Sequence, residues 1–492
     1  MKKLHNISII IAIGFLPSLS CTKDITLNPI SSISTVSFWK TENDAQGALI
    51  GMYGRFRNVA NTSLFLWGEG RSQDLEQGNG VDLANTRLFN NTLDATVAGP
   101  DWSSLYTVVH DANLILKYVP GIKFGSDVTK NGILAQAHTM RAFCYFVMVR
   151  TWGDVPLVIE PTEAYKPEII IKERTSVAEV FTLIKKDIDD AVGLFPDNKF
   201  PVGRNLWSMS GVNALKADVY LWTGKRLNGG QADFSVALNA LNEIEKSDVA
   251  LLPDFKRVFD YDNKGNREVI MAAHFKELES PETFMFNLYI STALPADISP
   301  GVRTAIGQVR GNNYWRVSDE TLAKFNSDDK RKDASFVVLY TKDAGGNYTK
   351  FFSTVQLKFD GLVNLGLRLF LDDVVIYRYA DVLLMKAEAK NALGQDPSSD
   401  INKVIERAYG TNYATHVFVN GSKEANDVAI LNERGLELLF EGKRWWDIVR
   451  FGKAFEQVPV LRNYPGQNYR LLFPLSLNIL SLEPKVKQNP GY

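Results

Sequence analysis

The stretch at residues 432–452, NERGLELLFEGKRWWDIVRFG, decides how the chain folds. Acidic and basic residues recur in it at spacings of three and four: Glu433, Arg434, Glu437, Glu441 and Arg444. On one helix such residues lie on neighbouring turns, so we expect them to pair with each other along its surface. Trp445 and Trp446 follow, and two adjacent indoles are expected to bury a large apolar area. The stretch therefore indicates a structural element rather than an active site.

Apolar residues spaced three and four apart predict further helices before this stretch. Such stripes run through residues 133–147, 177–195, 212–222, 234–244 and 376–387. Helices are also expected at 41–57, 102–118, 399–409 and 427–441. Thr175 or Ser176 can cap the helix at 177–195, and Glu179, three residues after Ser176, completes the pattern of a capping box. Successive helices joined by modest loops predict a mainly α fold of about four tetratricopeptide-like helix pairs.

Between residues 247 and 372 the sequence changes character. Gly, Asn, Pro and aromatic residues become more frequent, and strand-like pieces such as VIMAAHF and SFVVLY occur. We expect one folded body, residues 38–492, whose helical scaffold is interrupted by this loop-rich insert with a few short strands. Irregular segments held on a rigid frame are a common location for binding sites.

The N-terminus has the layout of an export signal. Lys2 and Lys3 precede an apolar run at residues 7–16, which is too short to span a bilayer. Small residues then lead into Cys21, as in a lipobox, although Ser18 stands where an aliphatic residue is usual and Leu19 follows it. The sequence predicts a lipoprotein signal peptide at 1–20, lipidation of Cys21 and a flexible tether at 21–37. A plain signal peptide followed by a coincidental cysteine is the alternative.

The near-neutral composition argues against a nucleic-acid-binding function. The 492 residues carry a formal charge of -1, whereas a nucleic-acid-binding surface needs a basic stripe to neutralise phosphates. With only two cysteines there is no disulfide framework, and Cys144 lies on an apolar helical stripe, where we expect a buried thiol.

Catalytic and metal-binding motifs are missing from the sequence. The histidines are scattered without a short metal-ligand spacing, and no nucleophile elbow or phosphate loop occurs. The segment DYDNKG at 260–265 starts like a calcium loop, but Lys264 and Met271 stand where ligand oxygens belong. Asp187, Asp189 and Asp190 are expected on a solvated helix face. We therefore expect neither a metal nor a cofactor, although two well-placed carboxylates of a glycosidase would leave no motif.

Several blocks resemble the SusD/RagB family of outer-membrane nutrient-binding lipoproteins. They are residues 432–452, the terminal QNPGY, RAFCYFVMVRTWGDVPLV (141–158), RTSVAEVFTLIKKDIDDAVGLFP (174–196) and YRYADVLLMKAEAKNALG (377–394), and they occur in the family's order. FWKTENDAQGALIGMY near the start and WSSLYTVVHDAN (102–113) fit as well, so the resemblance covers nearly the whole mature chain. It implies a lipid-anchored, surface-exposed protein of the outer membrane that changes no bond of its ligand. It also implies a partner, a SusC-like TonB-dependent barrel that imports the captured oligosaccharide or peptide.

Two neighbourhoods offer aromatic and polar side chains for a sugar. RGNNYWR at 310–316 contributes Asn312, Tyr314, Trp315 and Arg316, and RSQDLEQGN at 71–79 contributes Arg71, Asp74 and Asn79. Aromatic faces stack on the C–H surfaces of sugars, while amides, carboxylates and guanidiniums reach the hydroxyls. In the starch-binding relative, aromatic residues from loops in these neighbourhoods hold the sugar. The neighbourhood at 71–79 has no Trp at the comparable place. Trp67 lies just upstream of it, and a core position is favoured for Trp67. A core role is also the alternative for Trp315.

Three hypotheses for function remain open from the sequence. The leading one is a lipoprotein that captures oligosaccharide and delivers it to a TonB-dependent transporter. The first alternative is capture of a peptide or glycopeptide on the same scaffold. The second is a surface glycoside hydrolase whose carboxylates lie in the insert.

Overall fold

The computed structural model describes residues 38–164, 171–291 and 294–492. The predicted signal peptide, Cys21 and the tether at 21–37 lie outside these residues. Within the described part of the chain, no helix is long and apolar enough to cross a membrane.

Helices dominate the described residues, which confirms the mainly α prediction. The α-helices are α1 (Glu42–Asn61), α2 (Ser63–Gly68), α3 (Leu83–Phe89), α4 (Ser103–Tyr118), α5 (Asp127–Trp152), α6 (Val177–Leu194), α7 (Met209–Arg226), α8 (Gly230–Ile244), α9 (Pro300–Ile306), α10 (Asp319–Leu322), α11 (Lys330–Ser335), α12 (Tyr379–Ala392), α13 (Ser398–Tyr409), α14 (Lys423–Glu437), α15 (Arg444–Arg450), α16 (Ala454–Gln457) and α17 (Leu477–Leu482).

Several of the long helices begin at side-chain caps, and the long helices bury the predicted stripes. The Ser176 hydroxyl accepts from the backbone N–H of Glu179, so α6 begins where the capping box was predicted. The stripe of α5 is buried throughout, including Cys144, whose buried state is confirmed. Neighbouring long helices pack pairwise, with α4 on α5, α5 on α6, α7 on α8 and α12 on both α13 and α14. This arrangement confirms the helix-pair scaffold.

Among the residues that the structure describes, short strands form four two-stranded antiparallel sheets, mostly from the predicted insert. The strands are β1 (Leu75–Gln77), β2 (Val269–Ala273), β3 (Trp315–Val317), β4 (Phe336–Lys342), β5 (Tyr348–Gln356), β6 (Leu362–Asn364), β7 (Leu367–Leu369) and β8 (Val374–Arg378). β1 pairs with β3, β2 with β8, β4 with β5 and β6 with β7. The predicted piece VIMAAHF therefore contains β2, and SFVVLY covers the first five residues of β4.

The helix start predicted near Ile376 is wrong. Ile376 lies in β8, whose pairing with β2 keeps residues 374–378 extended, and α12 begins only at Tyr379. The apolar spacing of Ile376 fits the stripe of α12, but the pairing of β8 with β2 holds the chain extended on both sides of it, and its carbonyl accepts from Lys443 Nζ at 2.7 Å. The helix predicted at 427–441 also ends early, at Glu437, and Phe440 turns the chain with a φ of +69°.

The acidic residues of the deciding stretch do not pair along their own helix, which corrects that prediction. Glu437 and Glu441 instead surround Arg378 from the end of β8. The Arg378 side chain donates to Glu437 Oε1 at 2.6 Å, to Glu441 at 2.7 and 2.9 Å, and to Glu268 at 2.8 Å. All four side chains are fully buried. We call this group, with Arg331, Lys358 and Glu433, the buried charge cluster.

Electrostatic attraction within the cluster opposes the effect of burial on its charged groups. Burial alone would raise the pKa of Glu437, but the nearby Arg407, Arg378 and Arg331 outweigh it and lower that pKa to about 2. The pKa of the Arg378 guanidinium is raised although burial opposes this, because Glu441 and Glu437 lie against it. Removing one partner from such a buried pair is costly, because the other charge is left uncompensated.

A second set of buried charges lies behind the two tryptophans. Arg434 donates to Asp381 and Asp447 at 2.8 Å each, and Arg450 donates to Glu388 at 2.9 and 3.0 Å. Trp445 and Trp446 are buried beside these pairs, as predicted. The signature residues are therefore architectural because they connect elements that are distant in the sequence.

Asp187 is buried, so the predicted solvated face is wrong at this position. Arg141 donates to both of its carboxylate oxygens, at 2.7 and 2.8 Å, and His138 Nδ1 lies 2.7 Å from Oδ1. Asp190 completes a group of three possible metal ligands with His138 and Asp187. Because Arg141 already neutralises Asp187, we assign this group to the packing of α5 on α6.

Arg378→Ala is expected to lower the free energy of unfolding by about 3–5 kcal/mol, because three buried carboxylates lose their shared cation. Denaturant titration measures this change. The control is Arg267→Ala, which breaks an exposed pair with Asp248 and is expected to cost less than about 1 kcal/mol. Equal losses in the two variants would contradict the assigned role of the cluster.

Candidate functional site

The structure brings the two predicted ligand-binding neighbourhoods together. β1 and β3 form a short antiparallel pair in which Glu76 lies opposite Arg316 and Gln77 opposite Trp315. Beyond the strands, Gly78 N–H donates to the Tyr314 carbonyl at 3.0 Å and Gly80 N–H to the Asn313 carbonyl at 2.9 Å. The neighbourhoods therefore form one continuous surface element.

Strand alternation divides the residues of β3 between the core and the surface. Trp315 and Val317 point inward. Arg316 lies between them and Tyr314 precedes them, and both of these side chains are half-buried on the other face. The Trp315 ring is 0% exposed and packs edge-on against Phe89 at 5.0 Å and Phe284 at 6.1 Å. The structure therefore places Trp315 in the core, which was the alternative to sugar stacking, because a ligand at the surface would not reach a buried ring.

Arg71 and Asp74 are also interior. The Arg71 guanidinium donates to Asn91 and to the Leu472 carbonyl at 2.8 Å each, and it lies 4.4 Å from the centre of the Trp445 ring. Asp74 accepts from the Thr321 hydroxyl at 3.1 Å. These side chains hold the segment before β1 against the body. Because both are buried, they are not positioned to contact a ligand at the surface. Trp67 is likewise buried in the core, as favoured from the sequence.

Asn313 joins three segments beneath the surface. Its Oδ1 accepts from Asn79 N–H at 3.1 Å and from the Ser353 hydroxyl at 2.7 Å, and its Nδ2 donates to the Thr354 carbonyl at 3.1 Å. The residue has a φ of +46°, a left-handed conformation that Asn tolerates better than most residues. Asn79 is thereby fixed with its side chain exposed, and Asn312 is half-buried beside Asn287, to which it donates at 2.9 Å.

The β4–β5 hairpin adds aromatic residues that the sequence reasoning missed. Tyr340, Tyr348 and Phe351 are each between 37 and 38% exposed, and the register places Tyr340 opposite Phe351. The Tyr340 and Phe351 rings meet edge-on with centres 6.3 Å apart. Arg316 lies over Phe351 at 4.6 Å, which connects the hairpin to β3. We call Tyr340, Tyr348, Phe351 and Arg316 the aromatic face.

Charges on the aromatic face are balanced locally. Arg316 pairs with Glu76 across the β1–β3 pair and with Asp319 at 2.9 Å. Partial burial raises the pKa of Glu76, and Arg316 opposes that shift. Lys342 lies 5.6 Å from the centre of the Tyr348 ring. The surface thus combines exposed apolar rings with paired polar groups, a composition suited to a ligand with apolar faces and many hydroxyls.

Both ends of the hairpin are fixed to the buried charge cluster. Before β4, Arg331 donates to Glu433 at 2.5 Å and to Glu437 at 3.2 Å. After β5, Lys358 donates to Glu441 at 2.6 Å and to the carbonyls of Glu437 and Leu439 at 3.0 and 2.9 Å. Burial lowers the pKa of Lys358 to about 8, and Glu441 acts against that shift. The aromatic face is therefore held from below by the acidic residues of the deciding stretch.

Known proteins share this fold. The family model described as "SusD family" matches residues 370–492, and the model described as "Starch-binding associating with outer membrane" matches residues 48–221. A solved SusD superfamily protein from Bacteroides vulgatus is 31% identical with a TM-score of 0.82, covering 92% of this chain and 100% of that one.

The chain belongs to the SusD family. Two more relatives agree with this membership over nearly the full length. NanU of B. fragilis is 31% identical with a TM-score of 0.83, covering 95% of this chain and 100% of that one. SusD-like protein P38 of Formosa agariphila is 29% identical over 538 residues, covering 100% of both chains. The SusD/RagB resemblance of the signature blocks is confirmed.

The amino-acid sequence of this SusD-family chain contains a local pattern that indicates the hairpin of the aromatic face. The segment 336–356 contains two strand-like runs separated by DAGGN, and its second run, YTKFFSTVQ, carries Tyr348 and Phe351 near the turn. Aromatic residues close to a hairpin tip have little scaffold around them to bury their rings. Their meeting with Arg316 depends on long-range packing and has no local signal.

Trp315→Ala is expected to lower the free energy of unfolding by about 3–5 kcal/mol, because it empties a buried indole site. Phe351→Ala is expected to cost roughly 1 kcal/mol or less, because a part-exposed ring gives up little burial. Chemical denaturation of the two variants measures both values. A Trp315→Ala variant as stable as the parent chain would contradict the core assignment.

Proposed function

We propose that this SusD-family protein captures oligosaccharides on the aromatic face without changing them chemically. The observation that carries the proposal is the set of exposed rings on the hairpin, fixed beside polar side chains of the β1–β3 neighbourhood. Sugar rings present C–H surfaces that stack on aromatic faces, and the Tyr340, Tyr348 and Phe351 rings are part-exposed on the hairpin. A family described as starch-binding supports an oligosaccharide as the ligand class.

We assign hydroxyl recognition to the polar residues of the β1–β3 neighbourhood. Asn79 is exposed and fixed through its backbone, while Asn312, Tyr314 and Arg316 are half-buried on the same surface element. These four side chains supply amide, phenol and guanidinium groups that donate to or accept from sugar hydroxyls. Trp315, Arg71 and Asp74 support this surface from within.

We propose that the chain works at the cell surface, anchored to the outer membrane through acyl chains on Cys21. Multiple acyl chains anchor stably where a single chain does not. The captured glycan would pass to a SusC-like TonB-dependent barrel, the partner that the family resemblance implies. The tether at 21–37 would allow the body to move relative to the barrel mouth.

Two alternatives stay in view. A peptide or glycopeptide also stacks on aromatic rings, so the face alone does not separate the two ligand classes. A hydrolase needs two carboxylates flanking a scissile bond. The acids beside the aromatic face, Glu76 and Asp319, both pair with Arg316, which favours a binding role over catalysis.

Phe351→Ala and Tyr340→Ala are each expected to weaken oligosaccharide binding roughly tenfold, because each removes one stacking surface worth about 1 kcal/mol or somewhat more. Isothermal calorimetry with a panel of purified glycans and peptides measures the affinities, and product analysis of the same mixtures detects turnover.

The matched control is Tyr220→Ala, which removes a ring lying 4.1 Å from Lys185 on the helical scaffold and is expected to leave affinity unchanged. Unaltered affinity in both hairpin variants would refute the aromatic face as the site. Preferential binding of peptides would favour the first alternative, and release of shortened glycans would establish the second.

A further inference from the structure

A cavity of about 530 Å³ lies on the helical scaffold. Its walls come from α1, from one face of α4, from the segment 156–162 and from α17. None of these elements contributes a residue to the aromatic face. Small-molecule sites in proteins have volumes of roughly 300–1,000 Å³, so the cavity suits a small molecule rather than a macromolecule.

The face of α4 that lines the cavity carries hydrogen-bonding side chains. Ser103, Tyr106, Thr107 and His110 recur at spacings of three and four, which places them on one side of the helix. His110 Nδ1 accepts from the Thr162 N–H at 3.2 Å, so the imidazole is neutral and its own proton lies on Nε2. This side of α4 therefore offers two hydroxyls, an N–H donor and the half-buried Tyr106 ring.

Glu483 adds a carboxylate that has no partner in the described part of the chain. It follows α17 directly, at the end of the helix where the carbonyl dipoles disfavour an acid. Burial raises the pKa of Glu483, and no described cation or hydrogen-bond donor opposes that shift. An acid in such a place does not stabilise the fold, so we expect its hydrogen-bond donors to come from a ligand.

Arg55 supplies a cation to the same cavity. Its Nε lies 2.9 Å from Asp111 Oδ2, and its side chain remains 54% exposed. Among the described residues that line the cavity, Arg55 and Glu483 carry the formal charges, because His110 is neutral. The walls thus combine a group that only accepts hydrogen bonds with groups that only donate them.

The charge of a ligand for this cavity follows from these two residues. A cationic ligand would satisfy Glu483 but bring a like charge towards Arg55, and an anionic ligand would meet Arg55 but face Glu483. A neutral ligand with many hydroxyls can donate to Glu483 and accept from Arg55 and from His110 Nε2. The C–H surface of a sugar ring can also stack on Tyr106.

We propose that this cavity is a second saccharide-binding site, which takes a neutral sugar. The inference goes beyond the proposed function and does not depend on which ligand the aromatic face binds. Glu483 and His110 would select the hydroxyls of the sugar, and Tyr106 would contact its apolar face.

The test uses the full chain labelled with 5-fluorotryptophan, because Trp102 lines the cavity. Its fluorine resonance is identified from the spectrum of a Trp102→Phe variant. Glucose, galactose and mannose are titrated, each beside the amino sugar and the uronic acid of the same ring. We expect a neutral sugar to shift the Trp102 resonance saturably, and its two charged counterparts to bind at least roughly threefold more weakly.

No saturable shift with any of the three neutral sugars would overturn the inference. Tighter binding of an amino sugar would overturn it in favour of an ammonium site, and tighter binding of a uronic acid in favour of an anion site.

Glu483→Gln tests the role of the carboxylate. Glutamine keeps the volume but loses the charge-assisted hydrogen bonds, so we expect roughly fivefold weaker binding of the neutral sugar. The unfolding midpoint is expected to stay the same or rise, because an unpaired, partly buried charge is removed. The matched control is Glu424→Gln, an exposed acid of α14, which is expected to change neither value. Undiminished affinity in Glu483→Gln, or a midpoint that falls together with the affinity, would overturn the assigned role of Glu483.

Phe351→Ala separates the two proposed sites. It removes a ring of the aromatic face and is expected to leave the Trp102 titration unchanged. If this variant abolishes the shift of the Trp102 resonance, the sugar binds at the aromatic face and the second site is overturned. If the parent chain shows no shift at Trp102, glycan capture on the aromatic face is unaffected, since calorimetry on the hairpin variants tests it separately.

Discussion

The pairing of buried carboxylates with Arg378, Arg331 and Lys358 is the constraint on which the rest of the structure depends. These cations come from the insert and from the strand that ends it, whereas Glu433, Glu437 and Glu441 come from one short stretch near the C-terminus. In a low-dielectric interior each charge needs its partners in place, since an unpaired one is strongly destabilising. The cluster therefore fixes how the variable insert is placed on the helical scaffold.

The same constraint positions the proposed binding surface. Arg331 precedes β4 and Lys358 follows β5. Both ends of the aromatic hairpin therefore pair with acidic residues of the 432–452 stretch, Arg331 with Glu433 and Lys358 with Glu441. The hairpin is free to vary at its exposed tip while its base stays in one place. Asn313 adds a second fixed point by joining β3 and β5, and it brings Arg316 over Phe351. A scaffold that holds its binding loops by their bases in this way permits different ligands on one fold.

Local signals in the sequence predicted most of the helices but not their long-range partners. The α6 boundary follows from a serine and a glutamate three residues apart, which act within one turn. Glu437 carries no local sign of whether it pairs with a neighbouring turn or with an arginine from another part of the chain. Ile376 fits both a helical stripe and a strand, and only the distant β2 decides between them. Trp315 illustrates the same limit, because a three-residue strand is too short to show which of its faces is buried.

Site-resolved hydrogen exchange on Lys358→Met tests most directly whether the buried charge cluster holds the aromatic hairpin in place. Methionine fills a similar volume, but its side chain has no N–H to donate to Glu441 or to the carbonyls of Glu437 and Leu439. We expect faster exchange of the β4–β5 amides, residues 336–356, with the amides of α5 unchanged, because the hairpin loses one of its two anchored ends. Unchanged protection in the hairpin, or an equal loss of protection throughout the chain, would contradict this role of the cluster.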